Sequence, residues 1–175
     1  QIRCGERCAG QSMKYFAYGS NMSVPRLRDR IPTLEKIGVY TLHCHELRFH
    51  KAGTDGSAKC DAYESGNADD YVMGVLFHID SAGKQILDRI EGLGQGYEQK
   101  MVSLTHDSES ACTALTYFAT HIDVTWKPFD WYLHHVLTGA REAPLSADYV
   151  ERIAAVPTIS DPNLDRAKCQ RAIYL

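Results

Sequence analysis

One carboxylate, one glycine-serine turn and a few tyrosines have the types and spacing for proton-transfer chemistry at a carbonyl group. Glu91 follows the segment 81–90, whose apolar residues Ile86, Leu87 and Ile90 fall at i, i+1 and i+4, on one face of a helix. The C-terminal end of a helix carries partial negative charge, which disfavours an ionised carboxyl. Burial acts in the same direction. A glutamate so placed holds its proton closer to neutrality and can shuttle it; at an exposed helix end it is only a solvated charge. Tyr18-Gly19-Ser20-Asn21 leaves one strand and enters a short helix. Free main-chain N–H groups there can bind a carboxylate or an oxyanion, with Gly19 allowing close approach. The same residues also make an ordinary strand-to-helix turn. Ser20 is not read as a nucleophile, because no G-x-S-x-G elbow surrounds it.

Other reactive residue types point to quieter roles. Cysteines 4, 8, 44, 60, 112 and 169 would permit three disulfides, but a chain of 175 residues can fold without staples, and they are read as reduced thiols. Cys4-x3-Cys8 with His43 and His45 is the one compact set of metal-ligand types. Its spacing is no standard zinc signature, so no metal and no cofactor are expected. Gly92-x-Gly94-x-Gly96 lacks the spacing of a nucleotide loop and leads into a strand; it reads as a mobile rim beside Glu91. His134 and His135, adjacent on a helix, cannot share a face and read as surface or packing residues. Trp126, Trp131 and Tyr132 read as core or interface.

Composition narrows the classes. Apolar residues make 44% and charged residues 23% of the chain, as in ordinary globular proteins. The formal net charge of −3 gives no basic footprint, so nucleic acid is not expected as a partner. No apolar run has the length of a membrane span, and residues 1–12 lack the apolar stretch of a secretory signal. A cytoplasmic protein is therefore expected, with a polar tail over 1–12 and a single domain over 13–175.

The elements that must position the turn and the carboxylate follow from hydrophobic pattern. Met13 to Tyr18 reads as a strand, and a short helix begins near Ser23 with Pro25 in its first turn. Gly38 to Lys51 reads as one or two strands, Ala52 to Ser57 as a turn, and Asp61 to Asp70 as polar and partly irregular. Tyr71 to Ile79 is a strong strand. Asp80 or Ser81 caps the helix that should end at Gly92. Tyr97 to Thr105 and Ala111 to Thr120 form a hairpin about the loop His106 to Ser110. From Pro128 the period becomes helical through Phe129, Leu133, Val136 and Leu137, ending near Gly139. Ser146 caps another helix burying Tyr149, Val150 and Ile153, and Pro157 to Leu175 reads as mostly irregular. Strands first and helices last imply an α+β domain around one strongly curved sheet or barrel.

Tyr15-Phe16-Ala17-Tyr18-Gly19-Ser20-Asn21-Met22 closely resembles the YFAYGSNL signature of gamma-glutamylcyclotransferases. The likeness continues in Val72-Met73-Gly74-Val75-Leu76-Phe77, in Leu87-Asp88-Arg89-Ile90-Glu91-Gly92, in Tyr97, in Thr116-Tyr117, and in Pro128, Tyr132, Gly139-Ala140, Pro144-Leu145 and Tyr149. It spans about Tyr15 to Val156. Met22 stands where the signature has leucine, and the loop from Glu91 to Tyr97 is one residue shorter than in some members. The resemblance implies a mixed, strongly curved β-barrel with flanking helices and no metal or cofactor. It implies that Tyr18, Gly19, Ser20, Asn21 and Met22 hold a gamma-glutamyl group, that Tyr97 and Tyr117 line the pocket, and that Glu91 is the acid/base catalyst.

The implied reaction closes the gamma-glutamyl α-amine onto its own side-chain amide and releases 5-oxoproline and an amine or amino acid. Both reacting groups belong to one molecule, so the protein need only enforce a near-attack conformer and move protons. Two alternatives keep the fold. One is a gamma-glutamyl-removing enzyme of a biosynthetic pathway; the other is a non-catalytic small-molecule binding protein, against which Glu91 argues. The Y-G-S-N form, rather than Y-G-T, leans against substrates that are gamma-glutamyl amines. The expected partner is a small gamma-glutamyl compound, and the aromatic C-terminal helix offers a face for a homodimer.

Overall fold

Why Tyr71–Ile79 is apolar at most of its nine positions is explained by its place. The structure, a computed structural model, describes residues 12–107 and 111–175. In it this run is strand β5 of a five-stranded sheet. In chain order the strands are β1 Met13–Ala17, β2 Leu34–His43, β3 His45–Ala52, β4 Ala58–Glu64, β5 Tyr71–Ile79, β6 Tyr97–Leu104 and β7 Cys112–Ala119. The larger sheet has the order β2-β5-β1-β7-β6, and β3 and β4 form a separate two-stranded sheet. β5 pairs antiparallel with β2 on one side and β1 on the other, while β1 runs parallel to β7. A strand flanked on both sides and covered on both faces needs apolar residues at nearly every position. Val72, Val75, Leu76 and Phe77 are accordingly fully buried.

The expected barrel does not close. Between the edge strands β2 and β6 there is one isolated antiparallel bridge, in which Thr41 of β2 and Thr105, just past the end of β6, exchange N–H···O bonds of 2.9 and 3.0 Å. The sheet is thus strongly curved but open, with helices beside it. They are α1 Val24–Arg30, α2 Ser81–Glu91, α3 Asp130–Glu142, α4 Ala147–Ala154 and α5 Leu164–Arg171. No helix among the described residues is long and apolar enough to cross a membrane.

Two elements differ from the sequence reading. β4 covers part of the segment expected to be irregular, because its polar Asp61 is buried rather than solvated. Asp61 Oδ1 accepts from the Ala119 N–H at 2.8 Å, and Asp61 Oδ2 lies 2.8 Å from His50 Nε2. The Ala119 bond docks the small sheet against β7, and the His50 contact ties β4 to β3 within it. α5 lies in the tail expected to be mostly irregular. Ala167 is its one buried residue, so it has no apolar period to read. Polar contacts hold it instead: Asn163 caps it by accepting from Arg166 N at 2.9 Å, and Arg166 is paired with Asp161, which also accepts from the Trp131 indole at 2.8 Å.

α2 matches its expectation. The Asp80 side chain accepts from Gly83 N at 2.7 Å, and Gly92 ends the helix with φ 65°, the left-handed conformation that favours glycine. α3 begins at Asp130 rather than Pro128 and runs past Gly139 to Glu142. Gly139 does not stop the helix; it brings α3 against the Gly19–Ser23 turn. A β-carbon at 139 would lie 2.5 Å from Ser23 N and 2.6 Å from Met22 Cβ. The expected tail, with Cys4 and Cys8, and positions 108–110 of the hairpin loop fall outside the described residues.

Candidate active site

Glu91 is the last residue of α2, and the chain turns there into the glycine-rich link to β6. Its side chain faces the turn that follows β1. Asn21 Nδ2 donates to Glu91 Oε1 at 2.9 Å and to the Tyr15 hydroxyl at 3.0 Å, while Asn21 Oδ1 accepts from Arg30 Nη1 at 3.0 Å. The turn itself is a short 3-10 stretch, Ser20–Met22, in which Met22 N and Ser23 N donate to the carbonyls of Gly19 and Ser20. The first N–H groups of a helical turn have no acceptor within it. Those of Ser20 and Asn21 are therefore the main-chain donors at this spot.

Between turn and carboxylate lies a cleft of ≈ 320 Å³, partly open to solvent. Gly19, Ser20, Asn21 and Glu91 border it, with walls of Tyr15, Tyr18, Tyr97, Tyr117 and Tyr132. The tyrosine hydroxyls are already committed. Tyr18 donates to the Tyr117 carbonyl at 2.7 Å, Tyr97 to the Cys60 carbonyl at 2.6 Å and Tyr117 to Asp88 Oδ1 at 2.7 Å. Tyr132 accepts from Cys60 N at 3.0 Å. These rings are fixed walls, and burial pushes their hydroxyl pKa values upward, so they stay neutral.

Electrostatics at Glu91 oppose one another. Burial raises its pKa above the ordinary 4.5, and that effect outweighs the lowering pull of Arg30, the Asn21 amide, Lys51 and Arg26. The carboxyl is thus held more basic than usual yet remains within a cationic surround. Such a group can take a proton and return it. Asp88, one helical turn earlier, is occupied by Tyr117 and by Lys84.

Of the eight residues singled out in the sequence, seven meet at this cleft: Tyr18, Gly19, Ser20, Asn21, Glu91, Tyr97 and Tyr117. Met22 does not. It is fully buried and packs against Gly139, anchoring the turn from behind. The Asn21 side chain is spent on Glu91, Tyr15 and Arg30, which makes it a positioning group. Sequence reasoning missed Tyr15, Cys60 and the lining role of Tyr132. Cys60 comes from the unrecognised β4, and Tyr132 carried no signal separating it from its core neighbour Trp131. His43 and His45 do not converge: His43 Nε2 lies 2.9 Å from Thr105 Oγ1, and His45 Nε2 lies 2.9 Å from Lys100 Nζ. Among the described residues no group of three His, Cys, Asp or Glu side chains could hold a metal ion.

Comparison with known proteins agrees with this geometry. A family described as AIG2-like matches residues 71–153, the part holding β5, α2 with Glu91, and the hairpin. The gamma-glutamylcyclotransferase of Bos taurus is 26% identical over 171 residues, covering 94% of this chain and 87% of that one. The Homo sapiens gamma-glutamylcyclotransferase is 27% identical over 153 residues, covering 83% of this chain and 79% of that one. A solved gamma-glutamyl cyclotransferase superposes with a TM-score of 0.79 at 24% identity, covering 91% of this chain and 99% of that chain, and shares its fold. Likeness along nearly the whole length, one topology and a cleft at the signature turn agree, and in sequence and fold the chain resembles the gamma-glutamylcyclotransferases.

Proposed function

We propose that this chain converts a gamma-glutamyl compound into 5-oxoproline and a free amine, with Glu91 as the proton shuttle. The observation that carries the reading is the 2.9 Å contact between Asn21 of the turn and the Glu91 carboxylate, seventy positions apart, across one cleft. The signature turn and a carboxyl of raised basicity thus address the same bound group.

The γ-glutamyl part enters the tyrosine-walled cleft. Main-chain N–H groups of Ser20 and Asn21 receive negative oxygen, either of the α-carboxylate or of the tetrahedral intermediate. Glu91 draws a proton from the α-ammonium, and the freed amine attacks the side-chain amide carbon. A five-membered ring closes as the new C–N bond forms. Protons pass by way of Glu91 from the ring nitrogen to the leaving nitrogen, whose bond to the carbonyl carbon then breaks. No water is consumed and the proton balance is zero. Fixed tyrosine rings leave the bound group few conformations, which favours the folded shape that ring closure needs.

The test is incubation with gamma-glutamyl dipeptides, glutathione and gamma-glutamyl polyamines, with 5-oxoproline measured as product. Release from at least one of them at the rates of ordinary enzymes is expected. Binding of several without release of 5-oxoproline from any would reject the reading in favour of a binding protein.

A further inference from the structure

A second cavity of ≈ 560 Å³ opens from the first, sharing Ser20, Glu91, Tyr97 and Tyr132 with it. Its character is different. Arg26 and Arg30 of α1, Lys51 at the end of β3 and Lys59 of β4 border it, against the two acids Asp55 and Glu91. Four basic groups facing two acidic ones leave an excess of two positive charges.

Not all four are equally engaged. Lys59 is satisfied: its ammonium lies 2.6 Å from Asp55 Oδ2 and 2.7 Å from Ser57 Oγ, near the faces of Trp131 and Tyr132. Arg26 donates to Gln170 Oε1 at 2.6 Å, but its buried Nε has no hydrogen-bond partner. Arg30 spends one Nη1–H on Asn21. Lys51 is buried, its ammonium 4.8 Å from the centre of the Tyr97 ring, and it forms no ion pair among the described residues. Space is kept for it: a β-carbon at Gly96 would lie 3.1 Å from Lys51 Nζ. Buried positive charge without a partner is costly and is relieved by a bound anion.

Position says which anion. Glu91 borders both cavities, and in the reaction proposed above it hands a proton to the leaving nitrogen. The leaving half of the substrate must therefore extend past Glu91 into this annex. We infer that the annex is the leaving-group subsite, that Lys51 and Arg30 determine its specificity, and that it selects a leaving amino acid with an acidic side chain. Such a group brings two carboxylates, which match the two excess positive charges. A cationic amine meets like charge there and is disfavoured.

The inference rests on the proposed reaction, and one experiment separates the two. Rates of 5-oxoproline release are compared for γ-glutamyl-glutamate, its near-isosteric partner γ-glutamyl-glutamine, and a γ-glutamyl diamine, with the parent protein and with Lys51→Gln. The expected order of kcat/KM is acidic, then neutral, then cationic, with about a tenfold preference for glutamate over glutamine. Lys51→Gln is expected to reduce that preference to within about twofold, mainly through KM, while the glutamine substrate reports that the variant is folded and active. Equal turnover of both substrates by the parent, or an equal loss on both in the variant, overturns the annex assignment and leaves the reaction standing. Release from none of the three overturns the annex assignment, and release from none of the wider gamma-glutamyl panel overturns the reaction with it.

Discussion

Asn21→Asp changes one atom type at the centre of the site and keeps its shape. In the protein as it stands, the Asn21 amide donates to Glu91 Oε1 at 2.9 Å, which favours the ionised carboxyl. The substitution puts a second carboxylate oxygen at that distance. Two unit charges so close repel by about 1.4 kcal/mol at the dielectric of water and by about 6 kcal/mol at an effective dielectric of 20. The cleft is partly open, so the lower figure is the safe one, and it corresponds to about a tenfold effect. The sign follows directly: the two carboxyls share a proton, the basic form of Glu91 becomes scarcer at neutral pH, and higher pH restores it. Arg30 keeps its acceptor, since the oxygen it bonds is retained. In a pH series of kcat/KM for 5-oxoproline release, the acid limb moves to higher pH by about one unit, so the rate falls about tenfold on that limb and recovers as pH rises. An acid limb that stays in place, or a loss equal at every pH, would refute the electrostatic link between the turn and Glu91.

Two further expectations concern stability. Burial raises the Glu91 pKa above 4.5, so the folded chain binds this proton more tightly than the unfolded one. The group therefore favours the fold below about pH 4.5, and that contribution is lost as pH rises through the folded value. Glu91→Gln is then expected to melt at a higher temperature than the parent at neutral pH, with the gap narrowing in acid; calorimetry across pH checks it, and a lower melting temperature at neutral pH contradicts it. Gly139→Ala forces a methyl group against Ser23 N and Met22 Cβ, where backbone cannot yield cheaply. Overpacking of this kind costs about 1–3 kcal/mol; urea unfolding should show that loss, and kcat/KM should fall with it because the displaced segment carries the Gly19–Asn21 turn.

The legible parts of this fold were those where local pattern and final environment agree. β1, β5 and α2 each pair a clear period or apolar run with a turn or cap residue, and Asp80 and Gly92 bound α2 as their side-chain chemistry dictates. β4 was illegible because Asp61, a residue expected in water, is buried against His50 and the Ala119 N–H. α5 was illegible because it attaches through polar groups: Gln170 meets Arg26 at 2.6 Å and the buried His135 at 2.9 Å, and neither contact leaves a period in the sequence. Gly139 reads as a helix stop, yet its missing side chain serves close packing in three dimensions. At the site, the turn and Glu91 were recognisable from their motif, but the Asn21 bridge between them and the basic annex are products of folding. Lys51 and Lys59 look like ordinary strand lysines until β3 and β4 are folded beside α1.

The most direct measurement is kcat/KM for 5-oxoproline release by Glu91→Gln, with the variant's folding verified by circular dichroism and its melting curve. Glutamine fills the same space in the cleft but cannot carry the proton. A fall of about a hundredfold or more is expected for a lost general acid/base, with substrate still bound. A folded Glu91→Gln that releases 5-oxoproline as fast as the parent would contradict the account.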